Sequence, residues 1–141
     1  MIKLSLDHID TEILECLKKD GRISYSAIAK KVGLTSTAVG QRIQKMKDEG
    51  LILGFSTTLD RKKLGISIQA IITLKLNFSK IDSFYRKLLT FSEVEYCYRV
   101  TGEDCIIMKV NLKDNPHLLD FINQISLYGF SKSNIIIDQI I

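Results

Sequence analysis

Long hydrophobic stretches are missing from this 141-residue sequence. No apolar run approaches the ~20 residues that a membrane-spanning helix requires. Near the N-terminus, Asp7 and Asp10 interrupt the segment in which a secretory signal peptide would carry a continuous apolar core. We therefore expect a cytoplasmic protein with no membrane partner.

Cysteine is scarce, and its spacing does not suit a disulfide framework or a zinc site. Cys16, Cys97 and Cys105 are an odd number of cysteines and include no C-x-x-C pair. This pattern is typical of reduced, buried thiols. We therefore expect no bound metal and no cofactor.

Acidic residues are missing from one long segment. From Arg22 to Lys47 the chain has six basic residues and no Asp or Glu, whereas five acidic residues lie between Asp7 and Asp20. The net charge of +4 is modest, but it is segregated along the chain. Such segregation is expected when one face of a protein meets a polyanion.

The first part of the chain contains three helical patterns. Asp7 is an N-cap candidate for the first helix, Gly33 ends the second, and Thr35 is an N-cap candidate for the third. Short helices with short, glycine-containing connections predict a helix-turn-helix domain. The segment "LILGFSTTLD" that follows predicts a strand pair or an extended arm. We expect a winged helix-turn-helix domain over residues 1–60 and a linker over residues 61–66.

Residues 67–141 alternate between apolar and polar side chains and include two amphipathic helices. In "SIQAIITLKLN" every second residue from Ile68 to Leu76 is apolar, as in a half-buried strand. "VEYCYRVT", "CIIMKVNL" and "SNIIIDQII" predict three further strands. The resulting order, β-α-β-β-α-β, predicts a ferredoxin-like domain and makes the whole chain α+β.

One face of this predicted sheet has no helix to cover it. If every second residue from Val94 faces the helices, with Tyr96, Tyr98 and Val100, the other face is a mixed apolar and basic surface. That face would carry Ile71, Lys75, Cys97, Arg99, Ile107, Lys109 and either Ile136 or Ile140. Exposed apolar patches usually mark association surfaces, so we expect dimerisation through it. The alternative is that it packs under the N-terminal domain.

The third helix has the chemistry of a DNA-reading surface. Its spacing buries Val39, Ile43 and Met46, which leaves hydroxyl, amide and basic side chains on the opposite side. Gln and Arg pair with base edges, and hydroxyls, lysines and helix N-terminal amides contact phosphates. Gly40 permits close approach to DNA or, alternatively, close packing against the neighbouring helix. The less specific interpretation is a solvated helix that happens to lack acids.

The sequence then resembles a known family in both halves. "LDHIDTEILECLKKDGRISYSAIAKKVGLTSTAVGQRIQKMKDEGLILGFSTTLD" resembles the N-terminal half of the leucine-responsive/AsnC ("feast/famine") family of prokaryotic transcription regulators. "VEYCYRVTGEDCIIMKV" resembles that family's effector-binding and oligomerisation domain. The residues that carry the N-terminal resemblance are Leu6, Asp7, Asp10, Ile13, Leu14, Leu17, Asp20, Gly21, Arg22, Ala29, Val32, Gly33, Leu34, Val39, Arg42, Ile43, Gly50 and Ile52.

The resemblance implies a nucleoid-associated regulator that binds double-stranded DNA upstream of genes for amino-acid metabolism or transport. It implies a homodimer, often assembled into an octamer, with a small-molecule effector, typically an amino acid, between second domains. The family's recognition helix falls on residues 35–47 of this chain. The residues predicted to bind DNA are Arg22, Ser24, Tyr25, Thr35, Ser36, Thr37, Gly40, Gln41, Arg42, Gln44 and Lys45.

The effector loop of the family falls on "TGEDC", where the sequence departs from the family pattern. Many relatives have a Gly-x-x-Asp turn with Asp at position 105, whereas this chain has Cys105 there and Asp104 one residue earlier. This departure bears on whether the effector is an amino acid and on which one it is. The alternative interpretation of Glu103 and Asp104 is a polar hairpin tip. The residues predicted to bind the effector are Thr101, Gly102, Glu103, Asp104, Cys105, Asn123 and Gln124.

Two other function classes are alternatives to a regulator. An enzyme is disfavoured because His8 and His117 lie in separate predicted domains and no nucleophile–base–orienter set is evident. An effector-independent DNA-organising protein, whose second domain only assembles oligomers, is the closer alternative. A ligand that shifts stability or DNA affinity would distinguish this alternative from a sensor.

Overall fold

The computed structural model describes residues 5–138 and residue 140. The chain divides into two compact units, with the division between Thr58 and Leu59. We call them the helical unit and the α/β unit. Within the described residues, no helix is both long and apolar enough to cross a membrane.

The helical unit contains α1 (His8–Lys19), α2 (Tyr25–Val32) and α3 (Ser36–Asp48). Local side chains fix where each helix begins. Asp7 and Asp10 form a reciprocal capping box at α1, and Ser24 and Thr35 each cap the helix that follows them. Gly33 ends α2 with φ +69°, a left-handed conformation that favours glycine. The predicted helix-turn-helix is confirmed.

One cluster of buried side chains holds the three helices together. α3 contributes Val39, Ile43 and Met46, the stripe that the sequence predicted, and each is at most 2% exposed. They pack with Ile13 of α1 and with two residues of α2. Because each fully buried aliphatic side chain stabilises the fold by about 1.5–3 kcal/mol, this cluster fixes which face of α3 is left for other contacts.

Residues 51–60 form an arm after α3. These residues, all described, contain no helix and no strand, so of the two alternatives the strand pair is not formed. Near the middle of the arm, the Phe55 ring lies 3.5 Å from the position that a Cβ on Gly21 would occupy. The Lys47 ammonium group lies 5.9 Å from the centroid of the same ring.

The α/β unit is a four-stranded antiparallel sheet with two helices. Its elements are β1 (Ile68–Leu76), α4 (Ile81–Leu88), β2 (Val94–Arg99), β3 (Ile106–Leu112), α5 (Asn115–Ser126) and β4 (Gly129–Ile135), with 3₁₀ turns at Lys62–Leu64 and Phe78–Lys80. The strand order is β2-β3-β1-β4. This arrangement confirms the α+β fold, with the βαββαβ order of a ferredoxin-like domain.

A second core lies between this sheet and its two helices. The strands contribute alternate residues such as Ile72 and Met108, and the helices contribute Phe84 and Phe121, all 0% exposed. Gly129 opens β4 where no side chain fits. A Cβ there would overlap the Lys75 carbonyl oxygen and lie 3.1 Å from Leu76 Cα. Glycine at this position therefore lets β4 approach β1.

The predicted face assignment of β2 is wrong. Pairing with β3 is irregular between Val94 and Tyr96, so one extra residue is inserted and the alternation changes phase. Cys97 consequently packs against the helix-side core with Val94. Tyr96 and Tyr98 take the other face, with ring centroids 5.1 Å apart.

The predicted last strand, 133–141, is also misplaced. β4 begins at Gly129 and ends at Ile135, because its register with β1 runs from Leu76 to Ala70 and places Gly129 opposite Leu76. Its residues are largely polar, and the apolar run that suggested the strand mostly follows it. Residues 139 and 141 of the predicted strand lie outside the described residues.

Candidate nucleic-acid interface and effector site

The N-terminal half of α3 presents unpaired polar groups. Thr35 Oγ1 accepts a hydrogen bond from the Ala38 amide at 3.2 Å, and the first turn contains no acidic residue. Thr37 and Gln41 are exposed and have no side-chain hydrogen-bond or ion-pair partner among residues 5–138 and 140. A helix N-terminus with exposed hydroxyls attracts phosphate, and a free Gln amide can pair with a base edge.

The C-terminal half of α3 is different because its acidic residues engage the polar side chains near them. Gln44 Nε2 donates a hydrogen bond to Asp48 Oδ1 at 2.7 Å, and Lys45 Nζ lies 4.0 Å from Glu49 Oε1. Both side chains are exposed. They would have to leave these partners in order to contact DNA.

Arg42 joins α3 to the start of α1. Its Nη1 donates to Asp7 Oδ2 at 2.6 Å and to Asp10 Oδ1 at 2.8 Å. Hydrogen bonds to Asp10 and then to Asp7 raise the pKa of Arg42. The pKa of Asp7 is lowered by the Asp10 amide and then by Arg42. We call these three residues the α1–α3 clamp. Direct DNA contact by Arg42 stays a prediction, and this guanidinium already has two carboxylate partners.

Gly40 makes room for a side chain of the neighbouring helix. A Cβ at position 40 would lie 3.3 Å from two ring atoms of Tyr25, at the start of α2. That distance is tighter than ordinary van der Waals contact, so the ring would have to move. The structure therefore shows the second of the two alternatives for Gly40, packing against a helix. Tyr25 remains 46% exposed beside α3.

The other predicted DNA contacts lie around the start of α2 and α3. Ser24 Oγ accepts from the Ala27 amide at 3.2 Å, so part of its hydrogen-bonding capacity serves as a cap. The Arg22 amide donates to Asp20 Oδ1, and its side chain is exposed. Ser36, in the first turn of α3, is exposed as well.

The predicted effector loop, 101–105, connects β2 to β3 and borders a cleft. The Val100 amide donates to the Cys105 carbonyl oxygen at 2.8 Å and closes the loop. Gly102, with φ +109°, takes a conformation that other residues rarely adopt. We call the adjacent space, of about 600 Å³, the loop cleft. Its wall consists of Lys75, Leu76, Phe78, Ile81, Tyr85, Arg99, Val100, Thr101, Gly102, Glu103 and Cys105.

The loop cleft brings together only part of the predicted effector set. Thr101, Gly102, Glu103 and Cys105 lie on its wall, whereas Asp104 does not. Asp104 Oδ2 instead lies 3.5 Å from Lys132 Nζ. Asn123 and Gln124 are exposed on α5 and do not line this cleft either. Their predicted contact with an effector stays a prediction.

Sequence reasoning missed the part of the wall that comes from other elements. Lys75 and Leu76 end β1, Phe78 lies in a 3₁₀ turn, and Ile81 and Tyr85 belong to α4. These residues are distant from the loop in sequence, and the interrupted alternation of β2 hid the position of Arg99. No local motif could have assembled them.

Glu93, His117 and Cys97 do not line the loop cleft. The Lys113 amide donates to His117 Nδ1 at 3.3 Å, so Nε2 carries the proton and donates to Glu93 Oε1 at 3.0 Å. Burial opposes the charged form of Glu93, but hydrogen bonds from His117 and neighbouring groups leave its pKa lowered. Burial raises the pKa of the Cys97 thiol. Residues 5–138 and 140 contain no group of three or more His, Cys, Asp or Glu that could hold a metal ion.

Two family models match this chain, one in each unit. The model of the AsnC-type helix-turn-helix domain matches residues 6–47. The model of the Lrp/AsnC ligand binding domain matches residues 69–141.

Individual proteins are similar over nearly the same range. The HTH-type transcriptional regulator LrpC of Bacillus subtilis is 31% identical over 97% of this chain and 95% of its own. Its solved structure has a TM-score of 0.92 and covers 98% of this chain and 99% of that one, at 30% identity.

Two further matches carry functional names. A proline dehydrogenase transcriptional activator of Rhizobium radiobacter is 37% identical over 77% of this chain and 72% of its own. The feast or famine regulatory protein of M. tuberculosis was solved in complex with L-methionine. It has 28% identity and a TM-score of 0.90, and the match covers 97% of this chain and 95% of that one.

Proposed function

The chain belongs to the Lrp/AsnC family of HTH-type transcriptional regulators, and we propose that it binds specific DNA sites through α3 under the control of a small-molecule effector. The observation that carries the proposal is the N-terminal half of α3. There, exposed hydroxyl and amide groups surround a helix N-terminus that has no acidic residue in its first turn. This combination suits phosphate contact and base reading together.

The proposed DNA-binding residues have three different roles: base contact, phosphate contact and positioning. Gln41 and Thr37 reach base edges, since both are exposed and unpaired within the described residues. Residues at the helix starts contact phosphates: Arg22, Ser24, Tyr25, Thr35 and Ser36. Gln44 and Lys45 join them once they leave their acidic partners. Gly40 and Arg42 act by positioning, Gly40 by seating Tyr25 and Arg42 by fixing α3 against α1.

Base reading is tested on a DNA site selected from a random pool with the intact protein. Gln41→Ala should weaken binding to that site by about 1–3 kcal/mol, and binding to unrelated DNA should change little. The matched control is Asn115→Ala, which removes an exposed amide from α5 in the other unit. Equal losses on selected and unrelated DNA would show that Gln41 does not read sequence.

We propose that the effector is amino-acid-like and binds at the loop cleft. An L-methionine complex of a similar regulator and the 600 Å³ size of the cleft support this proposal. The target genes proposed are those of amino-acid metabolism or transport, in line with the similar activator of proline dehydrogenase. A genome-wide map of bound sites, with and without rich medium, tests both. If the bound sites are the same in both media and do not lie near such genes, the result would favour an effector-independent DNA-organising protein.

We further propose a homodimer that assembles to an octamer. The sheet face away from α4 and α5 supports this, because it carries Ile71, Ile107 and the Tyr96–Tyr98 pair. Light scattering on the purified chain tests it. Ile107→Glu should convert an assembly into monomers, whereas a change on the opposite side of the unit, Asn123→Glu, should not. An assembly that survives Ile107→Glu would place the contact elsewhere.

The proposal also covers the localisation of the protein, its lack of enzymatic activity and its domain boundaries. We propose a cytoplasmic, nucleoid-associated protein with no enzymatic activity. We propose domains over residues 1–60 and 67–141 joined by a linker at 61–66. Limited proteolysis of the intact chain tests the linker, because cleavage should concentrate at its two lysines, Lys62 and Lys63.

A further inference from the structure

We propose that the loop cleft selects an apolar carboxylate without an α-ammonium group, such as a 2-oxo acid, over the corresponding amino acid. This inference rests on the proposed effector role of the cleft and specifies the chemical class of the ligand. The cleft's apolar surface, its positive charge and its lack of an unpaired carboxylate among the described residues all favour an anion with an apolar body.

The apolar part of the wall would hold the ligand body. Five of the wall side chains are hydrocarbon or aromatic: Leu76, Phe78, Ile81, Tyr85 and Val100. Phe78 is 92% exposed, so a bound hydrocarbon group would remove an aromatic ring from water. A volume of about 600 Å³ accommodates an amino-acid-sized body or a somewhat larger one.

The charge of the wall favours an anion. Lys75 and Glu103 pair with each other, with Nζ and Oε2 at 3.2 Å. The Arg99 side chain is exposed and has no hydrogen-bond or ion-pair partner anywhere in residues 5–138 or at residue 140. The uncompensated charge of the cleft is therefore one guanidinium, whose planar fork matches a carboxylate.

No unpaired carboxylate among the described wall residues is available to an ammonium group. Glu103 supplies the only carboxylate among the described wall residues, and Lys75 already occupies it. Asp104 lies off the wall, beside Lys132. Cys105 Sγ is a weak acceptor, and its thiol is 3.9 Å from the Leu74 carbonyl oxygen. An amino acid would bring a second positive charge close to Arg99 without an unpaired carboxylate to balance it, whereas a 2-oxo acid would not.

The test compares ligands that share an apolar body and differ in whether they carry a carboxylate, an ammonium group or both. One series is phenylpyruvate, hydrocinnamate, L-phenylalanine and phenethylamine. The other is ketoisocaproate, isocaproate, L-leucine and isoamylamine. Each is titrated into the full-length protein by calorimetry, with melting temperature as the second readout. We expect the oxo acid and the plain acid of at least one series to bind about tenfold or more tighter than its amino acid, with the amine weakest.

Three variants locate the contact. Arg99→Gln should weaken binding of the acids about tenfold or more, because the guanidinium–carboxylate pair is lost. Arg86→Gln is the matched control, since it removes an exposed arginine of α4 that does not line the cleft. Cys105→Asp should reduce the difference in affinity between the acids and the matching amino acid, because it adds a carboxylate to the wall that can accept a hydrogen bond from an ammonium group.

The outcomes separate this inference from the proposed function. If an amino acid binds tighter than its matched acids, or if Arg99→Gln leaves acid binding unchanged, the ligand class is wrong and effector control stands. If no ligand of either series binds, the inference is overturned. If, in addition, none of the standard amino acids shifts the melting temperature while DNA binding is intact, effector control at this cleft fails as well.

Discussion

The two units of this chain use charged side chains in opposite ways. In the helical unit, Arg42 is partly buried, with its side chain 32% exposed, and one of its nitrogens serves two carboxylates of another helix. In the α/β unit, Glu103 is 86% exposed and makes a single contact with Lys75 at the mouth of the loop cleft. The first arrangement fixes the relative position of two helices, whereas the second is held only loosely by high-dielectric attraction.

This difference matches what each unit is proposed to do. A DNA-reading helix needs a rigid orientation, because base contacts depend on geometry. A ligand cleft needs side chains that can exchange one partner for another when the ligand arrives. The contrast therefore predicts that core packing and the α1–α3 clamp control stability, and that the charges around the cleft control binding.

Removing a core aromatic from the α/β unit should have the largest effect. Phe84 is 0% exposed and packs against Tyr128, with ring centroids 5.6 Å apart. Phe84→Ala should lower the free energy of unfolding by about 3–5 kcal/mol, measured by chemical denaturation. Each unit has its own buried cluster, so hydrogen exchange in the helical unit should be nearly unchanged.

The matched changes make this prediction sharper. Leu89→Ala removes a side chain that is 89% exposed and should cost little. Ile43→Ala, in the core of the helical unit, should cost about 2–5 kcal/mol and accelerate exchange there. If Phe84→Ala and Ile43→Ala each loosened both units equally, the two cores would not be energetically separate.

Breaking the α1–α3 clamp should have a smaller effect that depends on pH. Because the pKa of folded Asp7 lies below its ordinary value of 3.8, its ionisation stabilises the protein above that pH. This contribution is lost as the pH falls through the lowered pKa. Arg42→Gln should therefore reduce the melting temperature at neutral pH and flatten its fall in acid.

The matched variant is Lys45→Gln, which removes a charge of α3 whose nearest acid is 4.0 Å away. Lys45→Gln should not change how the melting temperature falls as the pH is lowered. Equal behaviour of the two variants would mean that the clamp contributes nothing to stability. Loss of DNA affinity in Arg42→Gln without any loss of stability would instead support direct contact between Arg42 and DNA.

The same contrast explains how far the sequence could predict each unit. Helix periodicity and caps are local, so the sequence alone predicts the buried stripe of α3 and the cap residues Asp7 and Thr35, and the structure has both. The partners of Arg42 were not, since they lie 32 and 35 residues away and no spacing rule links them. Recognising the helix therefore did not reveal which of its basic residues is already paired.

In the α/β unit, the order of elements was predictable but the faces of one strand were not. Alternation with a period of two holds along β1 and β3, whose burial alternates as predicted. It fails across the irregular pairing in β2, because one inserted residue reverses every later side chain. The wall of the loop cleft depends on this reversal and on elements far apart in sequence, so only the loop itself could be predicted.

A substitution of Gly40 tests how finely the DNA-reading surface is adjusted. Alanine favours a helix interior by about 1 kcal/mol over glycine, but its Cβ would lie 3.3 Å from the Tyr25 ring. The two effects oppose each other, so Gly40→Ala should change the free energy of unfolding by less than about 1 kcal/mol. Its DNA affinity should fall because Tyr25 is displaced. In the Tyr25→Ala background the same substitution should have no further effect on DNA affinity, and additive losses would show that Gly40 acts independently of Tyr25.

Neutralising the exposed pair at the cleft should have the smallest effect on stability. Glu103→Gln removes the partner of Lys75, and exposed ion pairs contribute about 0–1 kcal/mol, so the free energy of unfolding should barely change. Ligand binding should respond more strongly, because the freed Lys75 adds positive charge beside Arg99 and should tighten binding of an apolar carboxylate. Asp104→Asn is the matched change, since it frees Lys132 from a carboxylate that lies off the wall. Calorimetry with phenylpyruvate compares the two variants. If both variants change ligand affinity equally, the general charge of the unit, rather than the wall of the cleft, attracts the anion. The charges around the cleft would then not control binding, and the two units would differ only in how their charges affect stability.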